Sequence, residues 1–427
     1  MPFFSILMPS RNRASLLQDS IQTAIGQDFD DYEIVVSDNN SRDNTRQVVE
    51  QAMTTCDKIR YIQTGRDLSM CDNFEFALTQ AKGEYIIYLS DDDALVPGML
   101  RFVADIIQRP AGTPVEVLVW QRGGYGHADV PDDMNRYFLA FRLRSGKLYE
   151  VKSKLLQDAL CNFDPTIHFA IPKIVNCMIS RRAFERGIAK TGRFFVPPYP
   201  DYTTASQLLS LYPTYHLIDT PLYLCGTSTQ ANSGIFAKRI QKVDEYNSLF
   251  GPNEITLDDV PYPMPYVSVS YFLATYLKFQ KIYPDTFNSP INYQEYFRAV
   301  LKELLYYQHF EDVSQELDQL AVYMREYSGS DELLHRMQQE TNSNLYRYRF
   351  VYQMRMAIAG SPALSKLAST TMGILGVGRS DARQYKNVKS INAAVQLMAK
   401  DVNLKARNGS ALEVVELDSP ADVPLLA

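Results

Sequence analysis

The chain has 427 residues, too long for one ordinary domain, because single hydrophobic cores stop growing at roughly 250 residues. Apolar residues make up 46% and charged residues 22%, as in soluble globular proteins, and no segment reaches the ~18 uninterrupted apolar residues of a membrane span. The formal net charge of −6 argues against general affinity for nucleic acid. We therefore expect two globular domains and no nucleic-acid partner.

The amino terminus and the cysteines indicate the compartment. Residues 1–5 lack the basic stretch and the long apolar run of a signal peptide, which favours the cytoplasm. The five cysteines include no Cys-x-x-Cys pair and are odd in number, so the sequence predicts neither a zinc site nor a disulfide framework.

The first 120 residues alternate short apolar runs with stretches of helical period. This pattern is typical of βαβ units around a mainly parallel sheet. The sequence predicts buried strands over residues 3–8, 32–37, 59–64, 85–89 and 115–120.

Cap patterns mark the ends of the helices predicted between these strands. Ser15 with Gln18 forms a capping-box pattern at the first helix, and Asp72 with Glu75 resembles a capping pair at the third. Gly83 suits the left-handed position that follows a helix.

Beyond residue 120 the pattern changes. Residues 121–160 carry glycine and proline signals of loops, and residues 203–211 predict a helix. Past residue 240 the sequence shows long helical patterns, such as 293–327 and 332–359, without strand-period runs. We expect an α/β domain over 1–235, a helical domain over 236–360 and a partly flexible C-terminal extension over 361–427.

Polar clusters follow three of the predicted strands. They are Pro9-Ser10-Arg11-Asn12, Ser37-Asp38-Asn39-Asn40-Ser41 and Ser90-Asp91-Asp92-Asp93. In an open α/β sheet, ligands bind beyond the carboxyl ends of the strands, so the clusters predict one shared site. Taken alone, the first two clusters are explained at least as well by ordinary turn and cap chemistry.

The three adjacent aspartates at 91–93 repel one another unless a cation or hydrogen-bond donors neutralise them. Mg²⁺ is usually held by one or two carboxylates together with substrate phosphates, so a Mg²⁺ or Mn²⁺ site accounts for the cluster. A solvated helix cap ahead of Pro97 is the alternative. The triplet by itself leaves both interpretations open.

Together, these motifs resemble those of family 2 glycosyltransferases. The resemblance is carried by SILMPSRNR at 5–13, EIVVSDNNSRD at 33–43, and AKGEY at 81–85 leading to the aspartates and Pro97. It is strong over residues 3–100 and loose over 165–235. It implies a GT-A fold, which is Rossmann-like with a mainly parallel sheet flanked by helices, followed here by a mostly α-helical C-terminal domain. It also implies a nucleotide-sugar donor, a divalent metal and an inverting reaction.

The resemblance assigns donor-binding roles to particular residues. Asp38 matches the acid that receives the N–H of a uracil or thymine base. Counting back from Pro97, Ser90 holds the position of the family's usual first aspartate, so we expect Asp91 on the ribose side, Asp92 as the main metal ligand and Asp93 in support. The other residues at matching nucleotide-binding positions are Pro9, Ser10, Arg11, Asn12, Asn40, Asp72 and Asn73.

An inverting transferase needs a general base near the acceptor hydroxyl, and such a base contributes about 10²–10⁴-fold. The family places an aspartate late in the domain, just before an apolar helix, and Asp201 occupies that position. A helix N-cap is its alternative role. Asp164 is the second candidate, although Asp164-Pro165 is also an ordinary turn.

The sequence thus predicts transfer of a sugar from a UDP- or dTDP-sugar, with Mn²⁺ or Mg²⁺, to a hydroxyl of a glycan or lipid-linked acceptor in polysaccharide biosynthesis. The helical domain is expected to shape the acceptor side or a homo-oligomer interface. The apolar stretch 364–377 is interpreted as a packed terminal helix, with peripheral contact at the inner membrane face as the alternative.

Two other functions stay open at this stage. A nucleotidyltransferase that makes sugar nucleotides would use a Gly-rich first loop, and Pro9-Ser10-Arg11-Asn12 contains no glycine. A non-catalytic protein that binds nucleotide sugars or serves as a scaffold would use the triple aspartate only as a cap.

Overall fold

The computed structural model describes residues 1–109, 114–130, 135–143, 146–164, 167, 170–197, 199–230, 256–265, 267–308, 312–328, 337, 339, 382–404 and 414–417.

The described residues form one sheet of twelve strands, with the order β12-β8-β10-β6-β9-β4-β1-β2-β3 along its main path. Of the others, β5 pairs with β10, and β7 pairs with β6 and β11. The strands are β1 (Phe4–Ser10), β2 (Tyr32–Asp38), β3 (Ile59–Gln63), β4 (Tyr85–Tyr88), β5 (Ala94–Leu95), β6 (Val117–Gly126), β7 (Leu139–Arg142), β8 (Leu148–Lys152), β9 (Cys177–Ser180), β10 (Thr214–Thr227), β11 (Ala382–Tyr385) and β12 (Val414–Leu417).

The first four strands are parallel neighbours, as the βαβ pattern predicts. Every residue of β1 and β2 is buried, because both faces of this part of the sheet are covered. Leu7 of β1 enters one hydrophobic core, while Ile6 and Met8 enter the other. The α/β class is therefore confirmed.

The rest of the sheet is mixed. Strand β9 runs antiparallel to β4 and β6, and β6 runs parallel to β10. Gly123 and Gly124, predicted in a loop, lie inside β6. A Cβ on Gly123 would lie 2.9 Å from Leu224 and 3.1 Å from Phe141, so close packing between strands accounts for this glycine and local turn chemistry does not.

Helices cover both faces of the sheet. The face of the sheet that contains Ile6 is covered by α1, α2, α4 and α11. The face that contains Leu7 is covered by α3 and by α5 to α10. The helices are α1 (Ala14–Ile25), α2 (Thr45–Met53), α3 (Met70–Gln80), α4 (Met99–Ile107), α5 (Ser153–Cys161), α6 (Arg181–Thr191), α7 (Pro200–Leu211), α8 (Ser268–Ile282), α9 (Tyr293–Tyr307), α10 (Ser314–Ser328) and α11 (Ile391–Val402).

Two predicted cap features are wrong. Helix α1 begins at Ala14, one residue before Ser15, and its first N–H is accepted by Asp43 Oδ2 at 2.9 Å. Gly83 does not have a positive φ. It is needed because a Cβ there would lie 2.5 Å from the backbone N of Ser5.

The helical part shares a core with the sheet. Residues of α8, α9 and α10 belong to the same buried cluster as residues of α5, α6 and α7. In the predicted C-terminal extension, β11, α11 and β12 pack onto the sheet domain, so this described part is ordered structure of that domain. The predicted boundaries near 235 and 360, nearly all of 332–359, and the apolar stretch 364–377 lie outside the described residues.

Within the described residues, no helix is both long and apolar enough to cross a membrane.

Glu33 joins three segments at the amino ends of the central strands. Its carboxylate accepts hydrogen bonds from Ser5 Oγ at 2.7 Å, the backbone N of Lys82 at 2.6 Å and Arg60 Nη1 at 2.7 Å. Burial opposes ionisation, but these donors outweigh it and lower the pKa of Glu33 below its ordinary value.

Replacing Glu33 by Gln is expected to lower the free energy of unfolding by about 1–3 kcal/mol near pH 7, because donors are left unmatched. The folded-state pKa lies below the unfolded value, so this contribution is complete above about pH 4.5 and is lost as the pH falls through the folded pKa. Urea unfolding across this range measures the difference. Glu84→Gln, at an exposed neighbouring carboxylate, is the control. Equal effects of the two substitutions would contradict the assignment.

Candidate functional site

The three polar clusters meet at the carboxyl edge of the parallel strands, as the sequence predicts. Ser10, the last residue of β1, is in register with Asp38, the last residue of β2. Ser10 Oγ also donates to Asp91 Oδ2 at 2.7 Å, which joins the first cluster to the third. The edge therefore gathers the residues that the sequence proposed for a donor site.

Asp91 forms a buried ion pair with Arg13. Its side chain is 3% exposed, and Arg13 Nη1 lies 3.0 Å from its Oδ1. The charge of Asp91 raises the pKa of Arg13 above its ordinary value, against the opposing effect of burial. Arg13 was not assigned a role from the sequence, although it directly follows the first cluster. This ion pair already satisfies the carboxylate that we expected on the ribose side.

Asp93 is held by hydrogen bonds from residues near the carboxyl end of β10. Its carboxylate accepts hydrogen bonds from Tyr223 Oη at 2.8 Å and from the backbone N of Gly226 at 2.7 Å. Burial raises the pKa of Asp93 to about 6, although these two donors act in the opposite direction. The long sequence separation of Tyr223 and Gly226 from the triplet explains why local patterns did not reveal them.

Asp92 is the member of the triplet whose carboxylate receives no hydrogen bond from another described residue, although the charge of Arg13 acts on it. Asp92 is 8% exposed. Burial, followed by the charges of Asp93 and Asp91, raises its pKa well above the ordinary value. Its backbone is fixed, since His127 Nε2 lies 2.8 Å from its carbonyl oxygen.

This arrangement fits a divalent cation shared with substrate phosphates. Asp92 offers a carboxylate to which no other described residue donates a hydrogen bond, and Asp93 retains lone pairs beyond its two donors. Among the described residues, no group of three or more His, Cys, Asp or Glu side chains has the arrangement of a metal site. One or two carboxylates suffice for Mg²⁺ when phosphates and water complete its coordination.

Asp38, at the carboxyl end of β2, is buried, with 1% of its surface exposed. Its carboxylate accepts hydrogen bonds from the backbone N of Ser41 at 2.9 Å, from Gln63 Nε2 at 3.3 Å and from Tyr61 Oη. These donors fix the loop after β2. Recognition of a base N–H by Asp38 stays a prediction.

The loops after β1, β2 and β3 are tied together through Asp67. Its carboxylate pairs with Arg11 and accepts a hydrogen bond from Asn40 Nδ2 at 2.6 Å. Asn12 and Asn40 both have positive φ, of 52° and 54°, and Asn12 Oδ1 accepts from the backbone N of Arg42 at 2.7 Å. Asp67 was missed, although its place after β3 matches the pattern of the other clusters. Pro9 lies within β1.

The start of α3 departs from the predicted cap. Ser69 is the N-cap and accepts from the backbone N of Asp72 at 3.1 Å. Asp72 pairs with Arg193 at 2.7 Å, and Glu75 accepts from the backbone N of Phe195 at 2.9 Å. Asn73 accepts from Ser37 Oγ at 2.7 Å. The predicted capping pair therefore holds the segment before α7, and the nucleotide-facing roles of Asp72 and Asn73 stay predictions.

Asp201 lies in the first turn of α7, after the N-cap Tyr199. It is therefore not the N-cap residue. Two buried cations, Arg122 and Lys173, lie within electrostatic reach of Asp201. The charge of Asp93 also acts on Arg122. Arg122 therefore lies within electrostatic reach of both Asp201 and the aspartate triplet.

Arg122 and Lys173 were missed by the sequence analysis. Arg122 Nη1 lies 3.5 Å from Cys225 Sγ, and its Nε is buried without a hydrogen-bond partner. Burial lowers the pKa of Lys173 to about 8, with the charge of Asp201 acting in the opposite direction. Neither cation belongs to a local motif, because β6 and the segment after α5 bring them here from distant parts of the chain.

Residues 5–160 match the sequence model of Glycosyl transferase family 2. The match runs from β1 into α5, includes all three polar clusters and ends before Asp201. Residues 5–160 therefore carry the sequence pattern of family 2 glycosyltransferases, and the resemblance predicted from the motifs is confirmed.

Curated relatives match about a quarter of the chain. The chain is 40% identical over 101 residues to the GalNAc(5)-diNAcBac-PP-undecaprenol beta-1,3-glucosyltransferase of Campylobacter jejuni, covering 23% of this chain and 33% of that protein. It is 31% identical over 101 residues to the putative colanic acid biosynthesis glycosyl transferase WcaA of Escherichia coli, covering 23% and 36%. The chain thus spans about a third of the length of these relatives.

Among solved structures, S. aureus TarS 1-349 in complex with UDP-GlcNAc aligns with 75% of this chain and 80% of its own length. The identity is 14% and the TM-score is 0.42. A likeness of that degree leaves the function open.

Gly226 provides a test of the geometry around the triplet. A Cβ on Gly226 would lie 1.8 Å from the carbonyl oxygen of Asp92 and 2.4 Å from His127 Nε2. Gly226→Ala is expected to displace the triplet and weaken UDP binding in the presence of Mg²⁺ by about tenfold or more, since overpacking costs about 1–3 kcal/mol. Titration calorimetry measures the affinity.

Gly124→Ala is the matched control, because Gly124 pairs with Cys225 in the neighbouring strand and a Cβ there meets nothing within 4 Å. An affinity of Gly226→Ala within about twofold of this control would show that the triplet does not set nucleotide binding.

Proposed function

We propose that this protein is a glycosyltransferase that moves a sugar from a UDP- or dTDP-sugar to a hydroxyl group, with inversion at the anomeric carbon. The observation that carries the proposal is Asp92, a buried carboxylate without a donor from another described residue, at the strand edge of a family 2 domain. Such a group is costly to keep ionised unless a ligand compensates its charge.

Asp92, supported by Asp93, would hold Mn²⁺ or Mg²⁺. When bound, this ion supplies Lewis-acid stabilisation of the departing diphosphate. The segment from Pro9 to Asn12, together with Asn40, would lie along the nucleotide, and Asp72 and Asn73 at the start of α3 would face it. Asp38 would receive the base N–H, and Asp91 would act mainly by fixing Ser10 and Arg13 at this site.

Asp201 would act as the general base. As the acceptor oxygen forms its bond to the anomeric carbon, the bond from that carbon to the diphosphate oxygen breaks on the opposite face. Asp201 takes the proton from the attacking hydroxyl, and the diphosphate leaves with the bonding electrons. The support for this role is that Asp201 lies within electrostatic reach of Arg122, on which the charge of Asp93 also acts.

The acceptor is proposed to be a glycan or a lipid-linked saccharide. The support comes from relatives whose names specify an undecaprenol-linked substrate and colanic acid biosynthesis. A cytoplasmic location, peripheral membrane contact and homo-oligomerisation stay predictions.

The test measures release of nucleoside diphosphate from UDP-glucose, UDP-galactose, UDP-GlcNAc, UDP-GalNAc and dTDP-rhamnose, with Mn²⁺ or EDTA and with a panel of p-nitrophenyl glycosides as acceptors. Asp92→Asn is expected to abolish metal-dependent release, because the main ligand is lost. Asp201→Asn is expected to lower transfer by about 10²–10⁴-fold while the donor still binds.

Asp164→Asn is the control for the base, since Asp164 is the second candidate. A larger loss of transfer in Asp164→Asn than in Asp201→Asn would move the role to Asp164. Donor binding without turnover or metal dependence would favour the non-catalytic alternative. Failure of every sugar nucleotide to bind would contradict the proposal.

A further inference from the structure

A cavity of about 590 Å³ lies where the helical part meets the sheet domain. This α7–α9 cavity is lined by Tyr202 of α7, by residues of α8 and α9, and by the segment that follows α5. Its volume is within the range typical of small-molecule sites. Tyr202 directly follows the proposed base Asp201 along α7, although Asp201 itself does not line the cavity.

Aromatic rings form one part of the cavity wall: Phe163, Tyr202, Phe272 and Tyr276. Tyr202 and Phe272 are stacked, with ring centroids 3.7 Å apart, and Phe163 lies 5.9 Å from Tyr276. These contacts join the sheet domain to α8. The rings are therefore held in place before any ligand arrives, which lowers the entropic cost of binding.

Polar groups line the rest of the wall. Asn162 and Asp164 come from the segment after α5, and Asn292, Glu295 and Lys302 come from α9 and the residue before it. Asn292 Nδ2 donates to Asn162 Oδ1 at 2.9 Å, so the two sides are also linked by a hydrogen bond. The cavity thus combines flat apolar surfaces with amide, carboxylate and ammonium groups.

This combination matches the chemistry of a sugar ring. A pyranose has apolar C–H faces that pack on aromatic rings, and its rim of hydroxyls both donates and accepts hydrogen bonds. The carboxylates of Asp164 and Glu295 are half-buried in this wall and can accept hydrogen bonds from hydroxyl groups, which a hydrocarbon chain does not offer.

We propose that the α7–α9 cavity binds a saccharide unit of the acceptor. This inference rests on the proposed function and deepens it, since it locates the acceptor site in one cavity between the helical part and the sheet domain. The residues of this part that line the cavity belong to neither the family match nor the donor loops.

Ala299 of α9 allows the cavity to be filled without touching the strand edge. The probes are p-nitrophenyl glycosides of glucose, galactose, GlcNAc, GalNAc and rhamnose, whose binding is followed by saturation-transfer NMR without donor. At least one glycoside is expected to bind the wild-type protein and to lose affinity by about tenfold or more in Ala299→Phe. Gln294→Phe is the control, because Gln294 is exposed on the same helix and does not line the cavity.

A second variant covers the case in which Ala299→Phe does not fold. Phe272→Leu removes an aromatic face without adding volume and is expected to weaken glycoside binding by about fivefold. UDP affinity with Mg²⁺ is measured in parallel, so loss of the donor site is recognised separately from loss of the saccharide site.

Absence of glycoside binding to the wild-type protein would overturn the inference, as would unchanged binding in a folded Ala299→Phe or in Phe272→Leu. These results leave the proposed function intact when UDP still binds. If the wild-type protein binds glycosides but no sugar nucleotide, the proposed function fails instead.

Discussion

Burial of three adjacent carboxylates at the end of β4 is the constraint on which the rest of the site depends. Like charges this close destabilise a fold unless each is compensated. Asp91 is compensated by Arg13 and Asp93 by two donors from β10, which leaves Asp92 for a ligand. The fold thus satisfies two carboxylates and positions the third.

The same constraint connects distant parts of the chain. The contacts of Asp93 with Tyr223 and Gly226 fix the end of β10 beside the triplet, where Cys225 meets Arg122. Arg122 in turn feels the charge of Asp201 at the start of α7. From there the aromatic contacts of α7 lead into the helical part, which shares its core with the sheet. The aspartate triplet, Asp201 and the cavity are therefore linked by one series of contacts and charge interactions.

Features set by local pattern could be predicted from the sequence, and features set by long-range packing could not. The apolar runs of β1 to β4 fix strands and their parallel order, so convergence of the polar clusters followed from a general rule of open sheets. The cap of α1 was wrong because Asp43, 29 residues away, supplies it. Arg122 gave no signal, since its role depends on neighbours that only the folded sheet brings together.

A crystal structure of the protein with UDP and Mg²⁺ tests the central claim most directly. We predict a metal ion about 2.0–2.1 Å from a carboxylate oxygen of Asp92, bridging the diphosphate, with the uracil against the loop that follows β2. A nucleotide bound away from the carboxyl edge of the parallel strands, or a bridging metal ion held without Asp92, would contradict the account.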